Sequence, residues 1–203
     1  MDLYEREEIK MAYIGLAHPV IAALKSQSTI AGVTTPTYGD AFICGKAVSL
    51  SVTPNYNESK LYADNILDEY VREFKDGTVS MGVDRLPVKA QSVMFGHTVD
   101  ESGKEVSYKS GDSGNYVGIG FYVDEMVDGV KQYTASIIYK ARFAEGATDY
   151  TTKGDSIEFK TPVLEGAIAA LDDGNWKKDK VFATESEAIV WIEQQLNYSA
   201  DGE

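Results

Sequence analysis

The chain has 203 residues, of which 43% are apolar and 25% charged, so it is long enough for one ordinary core and too apolar for disorder throughout. Acidic residues outnumber basic ones 32 to 19, a formal charge of −13 that, with no basic run or Arg-rich helix, argues against tight nucleic-acid binding. The thirteen Tyr favour strands over helices.

In chain order, Met1–Lys10 is polar, lacks the apolar segment of a secretory signal, and precedes a second methionine at Met11. It reads as an N-terminal arm, a short helix or the product of an alternative start, ahead of a single domain over residues 11–203. The one cysteine, Cys44, lies in an apolar stretch, which predicts a buried, reduced thiol. Val48, Leu50 and Val52 alternate with Ser49, Ser51 and Thr53, the period of a half-buried strand, and Pro54 is expected to end it.

The stretch Asn55–Lys75 mixes Tyr56, Tyr62, Tyr70 and Phe74 with eight charged residues and has no clean period. It reads as a long hairpin or a loop, too long for a plain connection, and its four aromatic residues are the candidate contacts to a partner. Asp76-Gly77 reads as a turn, followed by a strand through Val79, Met81 and Val83. Leu86–Phe95 reads as a short packed helix, with Pro87 at its start and Gly96 after its end.

Two strands are the most legible feature of the chain. Val117, Ile119, Phe121 and Val123 alternate, then Tyr133, Ala135, Ile137, Tyr139, Ala141 and Phe143, with Asp128-Gly129 as the hairpin turn between them. A further strand is expected within Ser156–Ile168. Thr184 and Glu187 then form a capping box that opens a helix buried through Ala188, Trp191, Ile192 and Leu196. The sum is a mainly β protein of about eight strands, with a short internal helix and a terminal one.

No motif carries catalysis. His18 and His97 have no metal-ligand spacing, and Ser113-Gly114 sits in a plain loop rather than a nucleophile elbow. Gly118-Ile119-Gly120 falls inside a strand pattern, which points to close packing over the glycines rather than to a dinucleotide site. The pairs Asp124-Glu125 and Asp172-Asp173 neighbour turns, where Asp is common for backbone reasons. The expectation is a chain with no catalytic residues, cofactor or metal. No window reaches the about 18 apolar residues of a spanning helix, so no membrane insertion is expected.

Several segments, in order, resemble one family. They are Met11–Leu16 (MAYIGL), Gly45–Asp64 (GKAVSLSVTPNYNESKLYAD), Tyr116–Tyr122 (YVGIGFY), Tyr139–Phe143 (YKARF), Thr152–Pro162 (TKGDSIEFKTP) and the helix containing Glu185–Trp191. Together they span most of 11–196, and the chain resembles the major tail proteins of siphophages, the long-tailed, non-contractile bacteriophages, that infect Gram-positive bacteria. Met1–Lys10 departs from the family's pattern.

The resemblance implies a two-sheet β-sandwich, barrel-like, with a flanking helix and a C-terminal helix. It further implies six-membered rings stacked into a tail tube whose lumen passes double-stranded DNA without tight binding. Its partners would be further copies of the chain and the tape measure, tail-tip and tail terminator proteins. Assembly would take place in the host cytoplasm and the final location would be the virion tail. A loop at about 55–75 would bridge subunits. The rival readings are a carbohydrate-binding or adhesive β-sandwich, suggested by the many Tyr, and a lytic virion enzyme working through two carboxylates.

Overall fold

The computed structural model describes residues 12–63, 66–146, 152 and 161–199. The expected arm Met1–Lys10 and most of the stretch 152–162 lie outside them. The described chain is mainly β. Its strands are β1 (Ala12–Ile30), β2 (Val33–Ile43), β3 (Ala47–Ala63), β4 (Ile66–Val83), β5 (Thr98–Val99), β6 (Val106–Ser107), β7 (Val117–Val127), β8 (Val130–Ala144), β9 (Val163–Ile168) and β10 (Lys177–Phe182). Two helices, α1 (Val88–Val93) and α2 (Glu185–Leu196), complete it.

Eight of the strands form one antiparallel sheet in the order β2-β1-β7-β8-β9-β4-β3, with β10 beside β8; β5 and β6 pair separately. The hinge is β8. Its first half, Tyr133–Ile138, pairs with β10, while its last residues, Ala141–Ala144, pair with β9, so the strand passes from one half of the sheet to the other. The sheet folds over on itself as a sandwich. Ile21, Val117, Ile119 and Phe121 of one half pack with Val79, Met81, Val83, Leu164 and Ile168 of the other, and α1 closes the end through Ala90 and Val93. The hydrogen-bonded path stays open, leaving β2 and β3 as edges.

A second apolar layer lies behind β1, β7 and β8. Val20, Ala22, Tyr122, Ala135 and Ile137 are covered there by Ala188, Ile192 and Leu196 of α2. Burying side chains on both faces is what makes β1 a continuous run, Val20-Ile21-Ala22-Ala23, with no polar alternation. The glycines of Gly118-Ile119-Gly120 let α2 and Tyr38 approach: a Cβ on Gly118 would stand 2.6 Å from the Tyr38 ring, and one on Gly120 would stand 2.5 Å from Ile192.

Several sequence expectations hold. The β7–β8 hairpin turns at Asp128 (φ 49°) and Gly129 (φ 79°), both in the left-handed region that such a two-residue turn requires. Helix α1 lies inside Leu86–Phe95, with Gly96 at φ 78° after its end. Cys44 is buried and reduced, and desolvation pushes its thiol up to about 12.

Others are corrected. Pro54 does not end β3: the strand runs on to Ala63, because an edge strand has no outer partner to receive the N–H that proline lacks. Asp76-Gly77 is not a turn but lies inside β4, where Gly77 stands between Pro54 and Ile168 and an added Cβ would come within 3.1 Å of the Thr53 carbonyl. At Thr184 only half of the capping box forms. The hydroxyl accepts the Glu187 N–H at 3.4 Å and itself donates to the Glu187 carboxylate at 2.8 Å. Trp191 is half-buried rather than in the core, and packs on Phe182 with ring centroids 5.9 Å apart. The strands number ten among the described residues, not about eight, because β1, β2 and the short β5 and β6 give no periodic signal.

Candidate functional site

The sheet register sets the sense in which each long hairpin leaves the sheet. Gly77 stands beside Ile168, Ile168 beside Ala141, Ala141 beside Val117, and Val117 beside Ala23. From that row, β3 and β4 run past Gly77 in one sense and pair only with each other. In the opposite sense β1 runs past Val117 and pairs only with β2, out to the turn Ala31-Gly32. The two hairpins therefore leave that row in opposite senses of the strand register; β3–β4 stands clear of the body, while β1–β2 is held to it through Thr34 and Tyr38.

The first projection is the stretch 55–75. It is a hairpin, not a loop. Asn55–Ala63 rises about 30 Å at a strand's ~3.3 Å per residue, and the described side chains of this segment are exposed except that of Phe74, which is half-buried. A free two-stranded hairpin is marginally stable at best, so this one needs its own support. Pairing of Tyr56 with Phe74, Glu58 with Arg72 and Lys60 with Tyr70 puts all six on one face.

Along that face Trp176 of the body stacks on Phe74 with ring centroids 4.7 Å apart and planes 3° from parallel. Phe74 meets Tyr56 edge-on at 6.3 Å, and Arg72 lies over the Tyr56 ring at 3.9 Å. Arg72 also stands 3.5 Å from Glu58, and Lys60 lies over Tyr70 at 5.5 Å. A hydrogen bond to Glu58 raises the Tyr70 hydroxyl's pKa above its ordinary value. This ladder of rings and cations stiffens the hairpin from its root.

Of the four sequence candidates, the structure thus joins Tyr56, Tyr70 and Phe74 on one face, with Phe74 turned into its own chain's packing. Tyr62 stands at the tip, 63% exposed. Trp176 and Arg72 complete the group and were not singled out in the sequence. Trp176 lies 102 positions from Phe74, with no local signal, whereas Arg72 sits two residues from both Tyr70 and Phe74, a spacing that places it on their face of a strand.

The opposite face of the hairpin carries Glu69, Val71 and Glu73 on β4 against Leu61, Ser59 and Asn57 on β3. Leu61 and Val71 are exposed there, and among the described residues neither Glu69 nor Glu73 has a cation within ion-pair distance.

The second projection ends in the paired residues Ile30 and Val33, 75% and 63% exposed. Beside this tip Asp173 clamps the hairpin to the body: its carboxylate accepts the N–H of buried Thr34 at 2.8 Å and an Asn175 N–H at 3.0 Å. These bonds hold the Asp173 carboxyl below the usual carboxylate range. Asp172-Asp173 is therefore a turn that clamps β2, and Asp124 of the other acidic pair bonds Lys131 across its hairpin at 2.8 Å.

The histidines are held by carboxylates. His97 is buried, with Nδ1 2.8 Å from Asp112 and Nε2 3.6 Å from Glu145. Burial outweighs the nearby Glu193 in lowering the His18 pKa. Among the described residues no three His, Cys, Asp or Glu gather to hold a metal ion, and no helix is long and apolar enough to cross a membrane. Comparison of the chain with protein-family models and with curated proteins gives no match.

Proposed function

We propose that the chain is a structural subunit that assembles with copies of itself into six-membered rings stacked as a tube, the tail tube of a siphophage. The observation that carries this reading is the pair of hairpins that leave the sheet in opposite senses of the register, β3–β4 standing clear of the body and β1–β2 ending in exposed Ile30 and Val33. A subunit with different contact surfaces at its two ends makes heterologous contacts, and such contacts propagate into rings and stacks. Supporting it are the sequence resemblance to major tail proteins, the mainly β sandwich with a flanking helix, and the open edges β2 and β3, which association with further strands would cover.

In this reading six copies, each at −13, surround a channel whose net negative charge keeps duplex DNA from adhering as it passes. The tape measure, tail-tip and tail terminator proteins would set where the tube starts and stops, and the assembled tube would belong to the virion. The protein would do no chemistry of its own.

The adhesive, sugar-binding alternative relies on free aromatic faces. Arg72 and Lys60 already lie over Tyr56 and Tyr70, which leaves those platforms partly occupied.

The test is assembly. Purified protein is concentrated alone and with tail-tip complexes as seeds, then followed by size-exclusion chromatography with light scattering and by negative-stain electron microscopy. Rings or tubes are expected. A strict monomer under both conditions overturns the proposal and turns attention to a glycan-binding screen.

A further inference from the structure

A hollow of about 650 Å³ is lined by the β1 segment Leu24–Gln27, the loop Ser113–Tyr116, and Lys140 and Arg142 of β8. Lys140 and Arg142 are two apart on one strand, so they share a face at about 7 Å spacing. Both flank the Tyr116 ring, Lys140 at 4.9 Å and Arg142 at 5.4 Å from its centroid. Arg142 is held in place because its Nε donates to the Gly114 carbonyl at 2.8 Å and an Nη donates to the Ser113 hydroxyl.

The charge balance of this hollow is unusual for so acidic a chain. Lys25 on its rim is neutralised by Asp40, but among the described residues no carboxylate lies within ion-pair distance of Lys140 or Arg142. The other half of the imbalance is Glu69 and Glu73, exposed carboxylates on the hairpin face turned away from Trp176. Within one chain the two sets lie apart: Lys140 and Arg142 flank the row that holds Ala141 and Gly77, whereas Glu73 and Glu69 lie past Gly77 on a hairpin that leads away from it.

We propose that the hollow at Tyr116, Lys140 and Arg142 is the docking site for the β3–β4 hairpin of a second copy, with Glu69 and Glu73 opposite the two cations. The proposal rests on the tube-subunit reading and names the contact between successive copies in the stack. Leu61 and Val71, beside the two glutamates, supply the apolar surface that this contact buries. Charge pairs of this kind fix register and partner choice.

The experiment uses three proteins: wild type, Lys140→Glu, and Glu69→Lys/Glu73→Lys. Each is checked for an unchanged thermal transition, then followed by sedimentation velocity and negative-stain microscopy at low and high salt. Lys140 bonds within the fold only through its backbone, whose carbonyl accepts the Ala169 N–H at 2.9 Å whatever the side chain, and Glu69 and Glu73 are exposed, so all three should fold. Each variant alone is expected to need at least about tenfold more protein to associate, a loss equivalent to ~1.4 kcal/mol. Mixing the two variants should restore association, because each then presents a complementary end to the other.

Association of both variants at the wild-type concentration overturns the contact and leaves the tube reading standing. Loss of association in both with no recovery on mixing overturns the proposed pairing. Retention of duplex DNA by wild type but not by Lys140→Glu, with assembly unchanged, assigns the hollow to nucleic acid instead. A wild type that never associates removes both readings.

Discussion

Trp176 lies flat on Phe74, ring centroids 4.7 Å apart and planes 3° from parallel, and this stack ties the root of the projecting β3–β4 hairpin to the segment that enters β10. Both rings are half-buried, so the stack belongs to the fold, whereas Tyr62 at the tip touches no ring or cation among the described contacts. Trp176→Ala is expected to cost about 2 kcal/mol, below the range for a fully buried aromatic, and to speed proteolysis within 55–75. Tyr62→Ala should stay within about 0.5 kcal/mol of wild type in denaturant unfolding while weakening self-association. Equal stability losses in the two variants would refute this division of roles.

Gly120 marks where α2 presses on the sheet. An added methyl would stand 2.5 Å from Ile192 and 2.8 Å from Leu196, the far ends of side chains that can shift only within a closed layer. Gly120→Ala is expected to destabilise by about 1–3 kcal/mol through overpacking. Gly129→Ala adds its methyl into open space, so its cost comes from the left-handed backbone at φ 79° alone. Near-UV circular dichroism around Trp191, read beside denaturant midpoints, separates the two: only Gly120→Ala should disturb the packing of α2.

Cys44 makes the alkaline limit of stability specific. Burial pushes its thiol from 9.0 up to about 12, so the unfolded chain ionises first. The sign follows: the contribution is fully present below about pH 9 and is lost as pH rises toward 12. Tyr38 and Tyr122, also raised by burial, add to the same decline. Denaturant midpoints measured at pH 8, 10 and 11 should fall, and Cys44→Ala should fall less steeply. Native Cys44 should also resist a thiol reagent at pH 8 until the protein unfolds.

How far the sequence revealed this molecule depended on where each element sits. The β7–β8 hairpin was legible because alternation frames a turn dipeptide, and α2 because Thr184 and the Ala188, Ile192, Leu196 spacing mark a helix start and its buried face. Strand β1 was not. Its apolar residues feed Ile21 and Ala23 to one layer and Val20 and Ala22 to the other, which erases the period, and Pro19 sits at a break in its register where a proline is tolerated. Gly77 misled because close packing and turns draw on the same residue. The aromatic stretch 55–75 stood out by composition, but the partners that organise it, Trp176 above all, arrive from distant sequence. The pairing of Lys140 and Arg142 on one strand face was visible; their shared ring, Tyr116, was not.

Ile30 and Val33 give the test of the second projection. They face each other across the turn at Ala31-Gly32, are 75% and 63% exposed, and belong to neither buried core. Water contact on two adjacent large aliphatic groups has no benefit to an isolated chain, whereas burying both side chains in an interface is worth on the order of 2–4 kcal/mol at ~25 cal/mol per Å². Ile30→Lys and Val33→Lys should therefore leave unfolding within about 0.5 kcal/mol of wild type, since nothing inside the fold depends on either side chain. Assembly should respond instead: a charge placed where an apolar contact forms must either be desolvated or hold the surfaces apart. Light scattering at matched concentration reads the outcome, and assembly at the wild-type level in both variants would place this tip outside any interface.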